Sequence, residues 1–344
     1  MSVDAGLLAR LPKAELHVHL DGSLRPETIW ELAETQDVEL PADSEAGIGR
    51  WFRNELPERD LVGYLARFDV TTSVMQTEEA LERIAFELLE DAAAENVWYM
   101  EVRYAPILST KRGLSPRQVV DAVQRGLARG QEAYPRTQAY QIICGLRHFE
   151  PERALRMAAL AVEYKGRGVL AFDLAGAEVD NPAKRFREAF YLVLNANLNV
   201  TVHAGEAYGP ESIHQALHWA GAHRIGHGVR LREDGDLLEY VRDHRIPLEM
   251  CPTSNVQTGA VDSIEEHPIR EYFDRGLRVT VNTDNRLMSD TTMTQELALL
   301  VEHLGFDLEE IKKLLLNGFK SAFLRYPERK ALIGEANEAL GGMS

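Results

Sequence analysis

The stretch Glu15-Leu16-His17-Val18-His19-Leu20-Asp21-Gly22 carries two imidazoles and a carboxylate at the end of an otherwise apolar run. In a β-strand, residues two apart point to the same face, so His17 and His19 present their rings side by side, as two ligands of one metal require. An H-x-H pair alone also has an accidental or packing origin open to it, because neutral imidazole is a tolerated core group as well as a common ligand. Its meaning depends on what the other strand ends carry.

Working outward, eight short β-branched or aromatic runs recur along the chain, near Ala14–Leu20, Val97–Tyr104, Tyr140–Leu146, Val169–Leu174, Val200–His203, Arg224–Gly226, Ile246–Met250 and Val279–Asn282. Most are apolar on both faces, as expected of parallel strands covered by helices outside and packed side chains inside. The segments between them have helical periodicity. Leu81, Ile84, Ala85, Leu88, Leu89 and Ala92 form one buried stripe, with Thr77 as its cap. Ser115, Pro116 and Gln118 predict a capped start for a helix that turns Val119, Val120, Val123 and Leu127 inward. Asp307 and Glu310 make the same box for a last helix through Ile311, Leu314 and Leu315.

Strand and helix in alternation imply a closed barrel or a doubly wound open sheet. No G-x-G-x-x-G turn or G-x-x-x-x-G-K-[ST] loop follows the first run, and no Pro/Gly/Ser-rich linker divides the chain. The expectation is an α/β fold, a single (β/α)8 TIM barrel formed as one domain over residues 1–344, with a helical lid segment and C-terminal helices. The polar residues agree with it. The fifth run ends in Val202-His203-Ala204-Gly205-Glu206, the sixth leads into Gly226-His227-Gly228, and the eighth ends in Asn282-Thr283-Asp284-Asn285. Each polar group falls where an apolar strand stops, at the mouth where barrels of this kind build their sites.

His17, His19, His203 and Asp284 together supply three nitrogens and a carboxylate oxygen, a set that suits one zinc ion per chain and leaves room for water. Iron, cobalt and manganese use similar ligands. Zinc lowers the pKa of water to about 7, so hydrolysis follows. Glu206 can donate a proton if burial keeps it protonated, and His227 can orient the attacking water or accept its proton. The bland alternatives are a loop surface charge for Glu206 and a satisfied core histidine for His227. Their joint arrival at strand ends argues against both.

These residues sit in motifs that resemble the adenosine deaminase family of the metal-dependent amidohydrolase superfamily, from H-V-H-L-D-G almost to the C-terminus. The chain also reads E-V-R-Y-A-P at Glu101–Pro106, L-R-H at Leu146–His148, D-L-A-G at Asp173–Gly176, then H-A-G-E, R-I-G-H-G, C-P-T-S-N and N-T-D in the family's order. The resemblance implies that His17, His19, His203 and Asp284 bind zinc, that Glu206 protonates purine N1, and that His227 activates or positions the nucleophile at C6. It further implies that Asp21 binds the ribose 5′-hydroxyl, that the Gly176 backbone faces purine N3, and that His19 lies against the substrate. Asp21 could otherwise cap the helix starting near Pro26, and Gly176 could serve a tight turn. Related adenine deaminases carry a glutamate motif near Asp21, which favours a nucleoside over a free base.

One departure is plain. Where the family reads T-D-D-P, this chain reads Thr283-Asp284-Asn285-Arg286. The second aspartate approaches purine N7, an acceptor, so it must carry a proton to donate, whereas an asparagine amide donates at any pH. Asn285 is therefore expected to keep the N7 contact. Ala177 is a lesser mismatch, standing where many relatives have an acid. The segment Leu61–Phe68 corresponds to the family's apolar lid, although Leu61, Tyr64, Leu65 and Phe68 on one helical face also describe a core helix.

Composition bounds the partners. A net charge of −16 with no basic stretch argues against nucleic acid or an anionic membrane. A small purine nucleoside and water fit better. Cys144 and Cys251 belong to no C-x-x-C pair or disulfide framework, no signal peptide opens the chain, and no apolar run approaches the ~20 residues of a spanning helix. A cytoplasmic enzyme is expected. The zinc signature H-x-E with P-C-x-x-C is absent. His148, His214, His218, His223, His244, His267 and His303 read as surface or packing residues. Competing functions are a sibling deaminase acting on aminodeoxyfutalosine, adenine or a nucleotide, and a catalytically dead nucleoside-binding barrel.

Overall fold

Strand β1, Lys13–His19, is buried along nearly its whole length because both of its faces are covered. In the computed structural model, which describes residues 3–53 and 67–343, it opens a barrel of eight parallel strands in sequence order. The others are β2 (Val97–Tyr104), β3 (Gln138–Leu146), β4 (Val169–Ala175), β5 (Asn199–Ala204), β6 (Arg224–His227), β7 (Leu248–Met250) and β8 (Val279–Val281). All eight apolar runs became strands. The largest boundary shifts are two residues: β3 starts earlier, at Gln138, and β7 starts later, at Leu248, because Ile246 still closes the preceding helix by donating its N–H to the Val241 carbonyl.

The α/β barrel closes between β8 and β1 without a regular ladder. Beyond the last residue of β8, Asp284 donates its N–H to the His17 carbonyl at 2.9 Å and accepts the His19 N–H at 2.7 Å. Asn282 Oδ1 also accepts the Leu16 N–H at 2.8 Å, joining residues 266 positions apart. The seam is thus sealed by the backbone of residues read as metal ligands.

The outer helices begin where their caps predict. Thr77 accepts from the Ala80 N–H ahead of Glu78–Ala94, whose expected apolar stripe is buried. Ser115 with Gln118, and Asp307 with Glu310, form complete capping boxes. Most of the lid segment, residues 61–66, lies outside the described residues. Phe68, at its end, begins a short helix and stands edge-on to the His19 ring at 6.5 Å. Among the described residues, no helix is long and apolar enough to cross a membrane.

Candidate metal centre and its polar surround

The strand ends bring five groups together. His17 and His19 come from β1, His203 from β5, His227 ends β6, and Asp284 follows β8. His17 Nε2 and His19 Nε2 lie 3.3 and 3.4 Å from Asp284 Oδ1. His19 Nε2 and His203 Nε2 are 3.1 Å apart. Four ligands about 2.0–2.1 Å from one ion stand roughly 3.3–3.4 Å from each other at tetrahedral angles, so the observed separations suit a shared cation. His17 Nε2 is buried and, although 3.3 Å from Asp284 Oδ1, makes no hydrogen bond, as a donor atom reserved for an ion should. Ligand atoms of His17, His203, His227 and Asp284 all lie within 4.8 Å of one another, so distance alone does not rank His227 against His19.

The surrounding atoms fix which face His17, His203 and Asp284 offer. His17 Nδ1 is 2.9 Å from Glu249 Oε2, and His203 Nδ1 is 3.0 Å from Asp173 Oδ2. Ser254 donates to Asp284 Oδ2 at 2.6 Å. These contacts hold Nδ1 of each ring and one carboxylate oxygen, turning Nε2, Nε2 and Oδ1 inward, the carboxylate–histidine arrangement usual behind metal ligands.

Below lies a buried ionic layer. Arg103 donates to Asp173 at 3.0 Å and to Glu249 at 2.8 Å, while Arg224 donates to Glu249 at 2.5 Å and to Glu101. Burial alone would raise the Glu249 carboxyl, but Arg103 and Arg224 outweigh it and hold Glu249 well below the usual carboxylate range. Glu101, Asp173 and Glu249 thus face Arg103 and Arg224, and Asp284 adds a fourth carboxylate among the imidazoles, four carboxylates to two guanidiniums among these residues. Uncompensated charge at this depth is costly, and a divalent cation among the ligands would neutralise it. The residues therefore fit a metal by donor type, separation, orphaned nitrogen and charge.

Glu206 is 6% exposed and His227 1% exposed, which removes the surface-charge reading of Glu206. Burial, then the charges of Asp284 and Glu178, push the Glu206 carboxyl well above its ordinary value. Its Oε2 stands 3.6 Å from His227 Nε2. The backbone that presents Glu206 is clamped. Glu178 accepts the successive N–H groups of Gly205, Glu206, Ala207 and Tyr208 at 2.7–3.1 Å. Arg147 grips the His203 carbonyl at 2.5 Å and the Asn181 carbonyl at 2.8 Å. His227 and Asp284 both adopt left-handed backbone, at φ 62° and 61°. For non-glycine residues that conformation costs about 1 kcal/mol or more and concentrates at functional sites.

The remaining site residues sit around this cluster. Asp21 does not cap the helix Pro26–Gln36, whose N-cap is Arg25, and its Oδ1 is buried without a partner, 3.8 Å from His19 Nδ1. Burial pushes its carboxyl up to about 7, with the charge of Asp284 adding to the effect. Gly176, at the end of β4, has φ +90°, and a Cβ there would meet His148 Nδ1 at 2.9 Å. Turn and close approach both demand glycine. The buried Oδ1 of Asn285 lacks a partner. A Cβ on Gly22 would fall 1.8 Å from that oxygen, so glycine makes room for the amide.

Asp173, Glu249, Arg103, Arg147, Glu178, Ser254 and Asn255 received no role from the sequence. Charged residues inside apolar strands, such as Glu101 and Arg103 in M-E-V-R-Y or Glu249 in L-E-M, were the available signal, since burial obliges them to find partners.

Behind the site, Glu296 is fully buried and accepts from the Thr253 N–H at 3.1 Å and from Thr291 Oγ1 at 2.7 Å, anchoring the helix that carries Ser254. Burial raises its carboxyl from 4.5 to about 7. The folded state keeps this proton where the unfolded state releases it, so the contribution is fully present below the unfolded value and is lost as pH rises to about 7. Glu296→Gln should exceed wild type in stability by on the order of 2–3 kcal/mol at about pH 8 and match it near pH 4.5. Denaturant titrations at both values check this, and a pH-independent difference would contradict it.

Known proteins resemble this chain over almost its whole length. The family model for adenosine deaminase matches residues 12–339. An adenosine deaminase of Mycolicibacterium vanbaalenii is 46% identical, with 95% of this chain and 94% of that protein covered. One from Mycobacteroides abscessus is 44% identical over 97% of this chain and 96% of its own. The crystal structure of an adenine deaminase from Arthrobacter aurescens superposes with a TM-score of 0.89 at 30% identity, covering 96% of this chain and all of that one.

Proposed function

Because the chain belongs to the adenosine deaminase family, we propose that it hydrolyses the 6-amino group of adenosine, and of 2′-deoxyadenosine, to give inosine or deoxyinosine and ammonia in purine salvage. The observation that carries this reading is the pairing of a cation-sized ligand cluster with a buried, raised carboxyl 3.6 Å from His227. His17, His19, His203 and Asp284 would hold zinc. When bound, the ion supplies Lewis acidity that makes water a nucleophile near neutral pH.

The chain's own residues divide the remaining work. Glu206, kept protonated by burial, gives its proton to purine N1, which draws electron density from C6 and readies that carbon for attack. Water adds to C6, and the tetrahedral carbon collapses as the C6–N bond breaks. Of the two water protons, one leaves with the amino group as ammonia and the other restores Glu206. His227 orients the water or takes its proton. Asp21, buried with an unpartnered oxygen, would accept the ribose 5′-hydroxyl, and the Gly176 N–H would face N3. The two buried free thiols, Cys144 and Cys251, suit a reducing cytoplasm.

Incubating the purified, zinc-analysed protein with adenosine should shift the ultraviolet spectrum to that of inosine, and adenine should turn over far more slowly. Equal or faster turnover of adenine, or of aminodeoxyfutalosine, would replace the nucleoside reading with one of its siblings.

Asn285 would donate its amide to N7. Asn285→Ala should lower kcat/KM for adenosine by roughly 5- to 150-fold, the loss of one buried hydrogen bond. On 7-deazaadenosine, which lacks the N7 acceptor, the same substitution should change little. An equal penalty on both substrates would remove the N7 assignment.

A further inference from the structure

His267 read as a surface or packing histidine, yet it is buried and hydrogen-bonded at both ring nitrogens. Its Nδ1 faces the backbone N–H of Ile269 at 3.3 Å. Its Nε2 lies 3.1 Å from Asn255 Oδ1. Asn255 Nδ2 in turn lies 3.0 Å from His227 Nδ1. The far nitrogen of His227, Nε2, is the one that faces Glu206. A chain of three side chains therefore runs from a main-chain amide to the reaction centre.

The direction of every bond in this chain follows from its first member. A backbone N–H can only donate, so His267 Nδ1 must accept and carry no proton. The proton of His267 then sits on Nε2 and points at Asn255, which must answer with its carbonyl oxygen. That choice turns the amide NH2 toward His227 Nδ1, which must also be unprotonated. His227 is left with its single proton on Nε2. Reversing Asn255 would set NH2 against N–H on one side, an unmade buried bond worth about 1–3 kcal/mol. Burial, followed by the nearby charge of Arg232, lowers His267 to about 3, so it stays neutral with one proton to place.

We infer that Asn255 and His267 are positioning residues that fix the tautomer of His227, making its Nε2–H a permanent hydrogen-bond donor toward the reacting atoms. Two consequences follow. A protonated Nε2 has no lone pair for a cation, so His227 stands outside the ligand set although it lies within the same cluster, and His19 completes that set. Between the two roles open to His227, donation to the nucleophilic oxygen is selected over removal of its proton. The catalytic consequence rests on the deaminase reading, whereas the tautomer does not.

The test uses the full-length protein labelled with 15N-histidine, zinc-loaded and zinc-free, with the His227 signals assigned by their loss in His227→Gln. Long-range proton–nitrogen correlation should show His227 Nδ1 unprotonated and Nε2 protonated. Asn255→Asp keeps the shape but can only accept, so it should still hold His267 while drawing a proton onto His227 Nδ1. That variant should retain its zinc and its KM within about threefold, yet lose kcat by roughly 10²–10⁴-fold, as when a catalytic imidazole is forced into the wrong tautomer. His267→Phe, which frees Asn255 to rotate, should give a smaller loss and a mixed tautomer. A wild-type spectrum with Nδ1 protonated overturns the inference, and so does an aspartate variant with unchanged tautomer and kcat. A wild-type protein inert toward adenosine but showing the Nε2–H tautomer would sink the substrate reading and leave the relay standing.

Discussion

With glutamine in place of Glu206, the protein keeps its metal content and its fold and loses turnover of adenosine by about 10²–10⁴-fold. Glutamine preserves the volume and the hydrogen-bonding reach of the side chain, and the backbone clamp from Glu178 is independent of what residue 206 carries. What disappears is the transferable proton. A carboxamide can donate a hydrogen bond to N1 but cannot release the proton, so C6 stays poorly electrophilic. Because binding is nearly intact, the loss belongs to kcat rather than KM. If Glu206 is the proton donor proposed, its active form is the protonated one, so the rate should fall as pH rises through its elevated pKa. Stopped assays of inosine formation beside zinc analysis provide the check. Wild-type kcat in zinc-replete Glu206→Gln would assign the proton to another group.

Glu249→Gln should weaken the whole centre. Four donors converge on this carboxylate: His17 Nδ1 at 2.9 Å, Arg103 at 2.8 Å, Arg224 at 2.5 Å and Thr201 at 3.1 Å. An amide has only one accepting oxygen, and its NH2 would face other donors in a fully buried position. Two buried guanidiniums also lose their shared counter-charge. Removing one partner of a buried ionic cluster costs about 3–5 kcal/mol, and disturbing the support behind a metal-binding imidazole costs about 10–100-fold in metal affinity. Denaturant unfolding and chelator competition measure the two losses separately. If both match wild type, Glu249 neither stabilises the layer nor orients His17.

How much of this was legible in the sequence depended on the range of the interaction involved. Helix starts at Thr77, Ser115 and Asp307 are local, since cap and partner lie three residues apart, and they stood where the sequence placed them. The strands were readable from apolar runs, and the candidate ligands, which the fold does bring together, from their position at the ends of those runs. The ionic layer was not, because Arg103 meets Glu249 across 146 residues and His17 meets it across 232. No periodicity connects such positions. His267 was left between surface and packing for the same reason: it follows Glu265-Glu266 in a polar stretch, and only the tertiary packing buries it. Glu178, next to the mismatched Ala177, shows the limit most clearly, since its four backbone partners belong to another strand's loop.

The seam at Asp284 bears on how the molecule comes into being. Its pairing with the opening strand joins the beginning of the chain to a point well into its last quarter, so a growing polypeptide still on the ribosome can stack its early strands but cannot shut the ring. In the proposed ligand set, the carboxylate would be delivered by the act of closure itself. A cation held by those residues would load late, and any product truncated before Asp284 would lack both the closing seam and that carboxylate.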